Sequence, residues 1–245
     1  MLSFDYIKER WGSEMIKIFA LPANEGDFIW ICYGENEVYS HILIDGGTKE
    51  CGEEYASIIN IIDERKEKIE ALVLTHVDYD HIQGAIEGIC RTASGSLNRT
   101  VKKIYFNTCR GIRRNLKEMG EFSEGSNCVE DQICVNQNYK KYSVGDGIKF
   151  LDLLSEKGLK DRLVDYVVYG EQAVLRNDAI IRFISPGEKE LIKFANQWEK
   201  YERENEYVQY ASNFDMVKKN LADLMNENLA SDQSINNASS IAFIF

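Results

Sequence analysis

Residues 69–75 (IEALVLT) form a nearly continuous apolar run that stops abruptly at residues 76–81, a cluster of imidazoles and carboxylates. A short run of this kind is characteristic of a strand covered on both faces, as central parallel strands are. Residues 82–91 then carry apolar side chains at helical spacing. Strand, polar turn and helix in that order put the polar cluster at a strand's carboxyl end, where α/β proteins place their sites. The expected fold class is therefore α/β.

The flanking sequence agrees. Residues 15–21, 28–33 and 38–44 read as strands separated by polar turns, with a hairpin between the last two. Asp45-Gly46-Gly47 ends the third strand with a backbone freedom that other residues lack. Residues 53–67 have helical periodicity. Residues 101–107, 166–169, 173–175 and 179–184 read as later strands. Helices are expected over 148–157, 189–204 and 214–229, and residues 240–245 (SIAFIF) as a last apolar strand. Residues 108–147 are polar and are expected to be an insertion or loop. The reading is one domain over 1–245, with a helical segment at 188–230.

Forty acids against 29 bases give a net charge of −11, a sign that disfavours a chain-wide grip on nucleic acid. No apolar run reaches the ~20 residues needed to span a bilayer. The first ten residues carry charge and lack a signal-like apolar core, so a cytoplasmic location without membrane contact is expected. The six cysteines are scattered and contain no C-x-x-C pair, which fits free thiols in a reducing compartment.

The chemistry is concentrated in Thr75-His76-Val77-Asp78-Tyr79-Asp80-His81-Ile82-Gln83-Gly84. Two imidazoles and two carboxylates within six residues oppose one another unless a cation compensates them. Neutral imidazole and carboxylate are ordinary ligands of divalent metals. An EF-hand loop is excluded, because Ile82 and Gln83 stand where it needs an oxygen ligand and a glycine. Gly84 allows the helix to pack close to the strand. His41, within a strand, reads as a packing residue rather than a ligand.

His76-x-Asp78-x-Asp80-His81 resembles the HxHxDH motif of the metallo-β-lactamase superfamily, in the HxDxDHxxG form of hydrolases similar to the domain attached to the bacterial DNA-uptake channel. Residues 21–27 (LPANEGD), 42–47 (ILIDGG), 184–186 (ISP) and Asn236/Asn237-x-Ser239/Ser240-Ile241 resemble further landmarks of that branch. The resemblance implies a four-layer αββα sandwich with metals at one edge of its sheets. By position, His76 and Asp78 would bind a first ion, and Asp80 and His81 a second, while Asp45 orients the metal loop. Asp78 replaces the commoner histidine and hardens the site, so Mn²⁺ or Mg²⁺ is as fitting as Zn²⁺. The implied reaction is hydrolysis by a metal-activated water, with Asp80 holding that water and taking its proton.

A phosphodiester in nucleic acid or a nucleotide is the expected substrate. Between Leu97 and Lys117 lie seven bases and no acid, among them Arg110, Arg113 and Arg114 as candidate phosphate contacts. The family's later ligands, an aspartate and a histidine, are expected beyond the strand at 240–245. This sequence alone is then expected to hold one ion more readily than two. A homo-oligomer or a partner chain would complete the site. The alternative expectation is a catalytically incomplete protein of this fold, serving as a binding or assembly subunit.

Overall fold

The computed structural model describes residues 14–35, 38–118, 144–211 and 235–245. Strands β1 (Glu14–Ala20), β2 (Ile29–Glu35) and β3 (Val38–Ile44) form an antiparallel meander. From β3 onward the pairing is parallel, through β4 (Lys68–Val73), β5 (Ile104–Tyr105) and β6 (Leu163–Val164). Spatial order equals chain order across all six strands. Helix α1 (Gly52–Glu64) joins β3 to β4. Helices α2 (Tyr79–Arg91) and α3 (Ser94–Thr100) join β4 to β5, and α4 (Cys109–Glu118) and α5 (Val144–Glu156) lie between β5 and β6.

Parallel crossovers are right-handed, so strands added in one direction put all their helices on one face. That face forms the larger core. Trp30, Leu43, Leu72 and Leu74 of the sheet meet Tyr55, Ile59 and Ile62 of α1, Ile82 and Ile89 of α2, and Phe150 of α5. The following helix α6 (Glu188–Ala211) joins this layer through Leu191, Phe194, Ala195 and Trp198. The alternating residues point the other way. Ile31, Tyr33, Ile42, Ala71 and Val73 pack against Ile181, Phe183, Leu175 and Ile241. These belong to, or flank, a second sheet of β7 (Gln172–Val174), β8 (Ile180–Ser185) and β9 (Ala242–Ile244). A short helical turn, α7 (Ile235–Ala238), precedes β9.

The protein is thus a layered α/β fold with two stacked sheets and helices on the large sheet. The described residues supply three of the four layers expected. Val174, Ile180, Ile184 and Ile244 on the outer face of the small sheet are exposed.

Two local expectations are corrected. Part of the segment read as a loop at 108–147 is helical, as α4 and the start of α5. Its apolar stripe is narrow, consisting of Cys109, Ile112 and Leu116, and the intervening bases mask it in the sequence. Residues 166–169, read as a strand, are irregular. The Asn107 side chain takes the place of a ladder partner there. Its Nδ2 donates to the Val167 carbonyl at 3.0 Å, and its Oδ1 accepts from the Val167 N–H at 2.7 Å. The helix expected at 214–229 lies outside the described residues, as do Cys128 and Cys134.

The loop after β3 lies directly on α2. Gly46 N–H donates to the His81 carbonyl at 2.8 Å, and Gly84 N–H to the Gly47 carbonyl at 3.0 Å. A Cβ on Gly84 would collide with the Gly46 carbonyl oxygen, which is backbone and cannot swing aside. Gly84→Ala is therefore expected to destabilise the protein by about 1–3 kcal/mol, as overpacking does. Gly95→Ala, on an exposed turn of α3 and facing a movable Arg99 side chain, should be neutral or stabilising by up to about 1 kcal/mol. Urea midpoints of the two variants test the contrast.

Candidate metal centre

The site lies where β3 and β4 end. Asp45, the first residue after β3, has φ +53. That left-handed conformation is uncommon outside glycine, though aspartate tolerates it better than most residues. It turns the buried carboxylate back across the sheet edge toward the segment after β4. Asp45 Oδ1 accepts from the Thr75 N–H at 2.7 Å. Asp45 Oδ2 accepts from the Thr75 hydroxyl at 2.6 Å and lies 2.8 Å from His81 Nδ1.

These bonds determine where the imidazole protons sit. A carboxylate can only accept, so His81 Nδ1 carries a proton. Thr75 has a single hydroxyl proton, and Asp45 takes it. The contact of 2.8 Å between Thr75 Oγ1 and His76 Nδ1 must then be donated by the histidine. Both Nδ1 atoms are committed to the Asp45–Thr75 system, which leaves both Nε2 atoms as the nitrogens that could serve as metal ligands. This outer-shell arrangement is typical of metal-binding histidines.

Around those nitrogens the motif residues stand as two pairs. His76 Nε2 is 3.7 Å from Asp78 Oδ2, and His81 Nε2 is 3.7 Å from Asp80 Oδ2, both beyond hydrogen-bond reach. The two ring centroids lie 4.0 Å apart, with the planes tilted by 48°. Two ring nitrogens and two carboxylates brought this close are a donor set that fits divalent cations. Asp80 lies in the first turn of α2, and Asp78 is its N-terminal cap residue.

One further carboxylate reaches the site. Asp27 Oδ2 lies 4.0 Å from His81 Nδ1, with the Asp27 side chain 63% exposed. Asp27, Asp45 and His81 offer ligand atoms within 4.8 Å of one another. In that trio Asp45 and the Nδ1 of His81 already bond each other, so the open coordination face is on the Nε2 side. The sequence signal for Asp27 was the glycine before it. Gly26 has φ +80, and its missing side chain lets the loop rest on the Asp80 carbonyl. Gly47 N–H secures the same loop by donating to the Asp27 carbonyl at 2.9 Å.

Burial, reinforced by the neighbouring His81, pushes the His76 pKa down to about 4 against the attraction of Asp45, Asp80 and Asp27. His81 goes the other way. Burial lowers its proton affinity, but the hydrogen bond and charge of Asp45, joined by Asp80 and Asp27, outweigh burial and raise it. At neutral pH His76 is therefore neutral, whereas His81 holds its proton to a higher pH than an ordinary imidazole does.

Two of the three expected phosphate contacts are paired with side chains of other elements. Arg113 Nε is 2.7 Å from Glu199 Oε1, and its Nη2 donates to Asn196 at 2.8 Å. Arg114 Nη2 donates to Asp165 at 2.7 Å. Arg99 pairs with Asp63. Lys102 and Lys103 precede β5, at the opposite end of the sheet from His76. Arg110 is exposed in the first turn of α4, at the same sheet edge as the metal loop. His41 lies away from the site and packs in β3. Its Nδ1 accepts from Trp30 Nε1 at 3.1 Å, and its Nε2 lies 2.8 Å from Glu67.

No protein-family profile matches the chain. A hydroxyacylglutathione hydrolase from Psychromonas ingrahamii is 26% identical over 101 residues, 41% of this chain and 36% of that protein. The chain therefore matches little more than a third of that relative's length. A solved Thermotoga maritima protein described as a metallo-β-lactamase aligns with 71% of this chain and 66% of its own. Its identity is 13% and its TM-score 0.31.

Two outcomes are expected. In metal-free protein, imidazole ¹⁵N NMR should show His76 staying neutral until the pH nears 4, and His81 keeping its proton above pH 6.5. Both rings titrating together near 6.5 would contradict the assignment. Asp45→Asn, which adds a donor where only acceptors fit, should weaken divalent-metal binding roughly 10- to 100-fold in a competition titration.

Proposed function

We propose that this chain is a metal-dependent hydrolase of the metallo-β-lactamase superfamily, acting on a phosphodiester in nucleic acid or a nucleotide. The carrying observation is the pair of adjacent imidazoles whose Nδ1 protons are both committed to the Asp45–Thr75 system. His76 and Asp78 would hold one ion, and Asp80 and His81 another; Mn²⁺ and Zn²⁺ both suit these ligands. A cation there supplies Lewis acidity and a water of lowered pKa. Asp80, partly open to solvent, takes the water's proton on a carboxylate oxygen. Asp45 keeps both rings oriented through the cycle and stays out of the reaction itself. Arg110 is the side chain best placed on this edge to meet a phosphate. The free thiols Cys32, Cys51, Cys90 and Cys109 accord with work in the cytoplasm. No helix among the described residues is long and apolar enough to cross a membrane.

A second reading has specific support. The similarity to a hydroxyacylglutathione hydrolase favours a thioester substrate. The exposed apolar row of Val174, Ile180, Ile184 and Ile244 favours, in turn, an assembly role for the small sheet.

The test is metal analysis of the purified chain, followed by Mn²⁺ and Zn²⁺ titrations with bis-p-nitrophenyl phosphate, single-stranded DNA and a glutathione thioester. Stoichiometric metal and phosphodiester turnover are expected, and His76→Ala or Asp80→Ala should cost at least about 100-fold in rate. Faster thioester turnover would favour the second substrate class. Absence of both metal and turnover would refute the enzyme reading and leave the assembly role.

A further inference from the structure

Asp78 occupies the N-cap of α2, with extended backbone angles suited to capping, yet its carboxylate makes no capping hydrogen bond. Aspartate at this position normally caps, and forgoing the bond weakens the start of a helix. The carboxylate is turned aside instead. Asn236, 158 residues later, donates from Nδ2 to Asp78 Oδ1 at 2.6 Å in a buried contact. The other oxygen, Oδ2, is the one that faces His76 Nε2.

The amide that does this is itself held in place. Asn236 is 7% exposed, and its Oδ1 lies 3.5 Å from Gln197 Nε2 on α6. That contact orients the amide, with its NH₂ group toward Asp78. The Asn236 carbonyl accepts from the Ser239 hydroxyl at 2.9 Å and the Ser240 hydroxyl at 3.4 Å. Five residues on, Ile241 N–H donates to the Thr75 carbonyl at 3.0 Å. The late segment is therefore joined to the metal loop at two points, one on each side of His76.

We propose that Asn236 is a positioning residue that withdraws Asp78 from capping α2 and presents its Oδ2 beside His76 for a divalent cation. The proposal rests on the metal-site reading above. One Asp78 oxygen bonds the amide, and the other faces His76 Nε2, as a monodentate ligand of a shared ion would. The N-cap bond given up on α2 is replaced by the bond to Asn236. A long-range contact of this kind makes half of the site depend on docking of the segment before β9.

The experiment measures Mn²⁺ and Zn²⁺ affinity of the full chain by competition with a chromophoric chelator, alongside thermal midpoints of the metal-free proteins. Asn236→Ala is expected to weaken binding roughly 10- to 100-fold, in the range typical of partners that orient ligands. Ser239→Ala cuts a bond in the same turn without touching Asp78. It should lower the thermal midpoint and leave affinity unchanged. In an Asp78→Ala background, Asn236→Ala should have no further effect on affinity. An Asn236→Ala affinity loss no larger than that of Ser239→Ala, or one that persists without Asp78, overturns the positioning role alone. Failure of the unaltered chain to bind either ion overturns the metal reading and this proposal with it. If Asn236→Ala does not fold, Asn236→Leu serves in its place. It keeps the size but removes the donor, and the same loss of affinity is expected.

Discussion

The site depends on one buried carboxylate. Asp45 leaves β3 in a left-handed conformation and spends its two oxygens on the Thr75 backbone, the Thr75 hydroxyl and His81. These bonds join the ends of two adjacent parallel strands to the first turn of α2. They also decide which nitrogen of each histidine is protonated, through the Asp45 carboxylate for His81 and through the single proton of Thr75 for His76. An arrangement that must satisfy every acceptor has one protonation pattern at Nδ1, and that pattern leaves both Nε2 atoms facing the candidate centre. Burial lowers the proton affinity of both histidines, and their pKa values part because His81 also bonds Asp45 directly, which outweighs its burial.

The fold makes this possible by simple topology. Strands added in chain order, with right-handed crossovers, leave all linking helices on one face and all strand carboxyl ends at one edge. The loops after β3 and β4 meet at that edge. Close approach then does the rest. Gly84 lets α2 touch the Gly46 backbone, and Gly26 lets the β1–β2 loop rest on Asp80. The opposite face of the large sheet is left to a second sheet, whose last strand brings Asn236 and Ile241 to the metal loop.

Much of this was legible in the residues. The apolar run before His76, the crowded ligands and the glycines identify a strand, a site and a close-packed helix, because each is a local pattern with a local cause. Helix α4 was hidden because its buried stripe is three residues wide among arginines. The irregular backbone at 166–169 was hidden because Asn107, 60 residues away, supplies its hydrogen bonds. The basic run from Arg99 to Lys117 is a similar case. Its neutralising acids, Asp63, Asp165 and Glu199, come from other elements, so a local count of charge overstated the cationic surface.

By itself the sequence determined the α/β class and the strand-end location of the candidate ligands, and it raised the expectation of a cation among two imidazoles and two carboxylates. Those follow from periodicity and from the mutual repulsion of groups a few residues apart. The tertiary structure alone decided how those groups are held. The bonds of Asp45 and Asn236 span 30 to 158 residues. Contacts at such separations arise only when the strands, the helix layer and the second sheet have packed together.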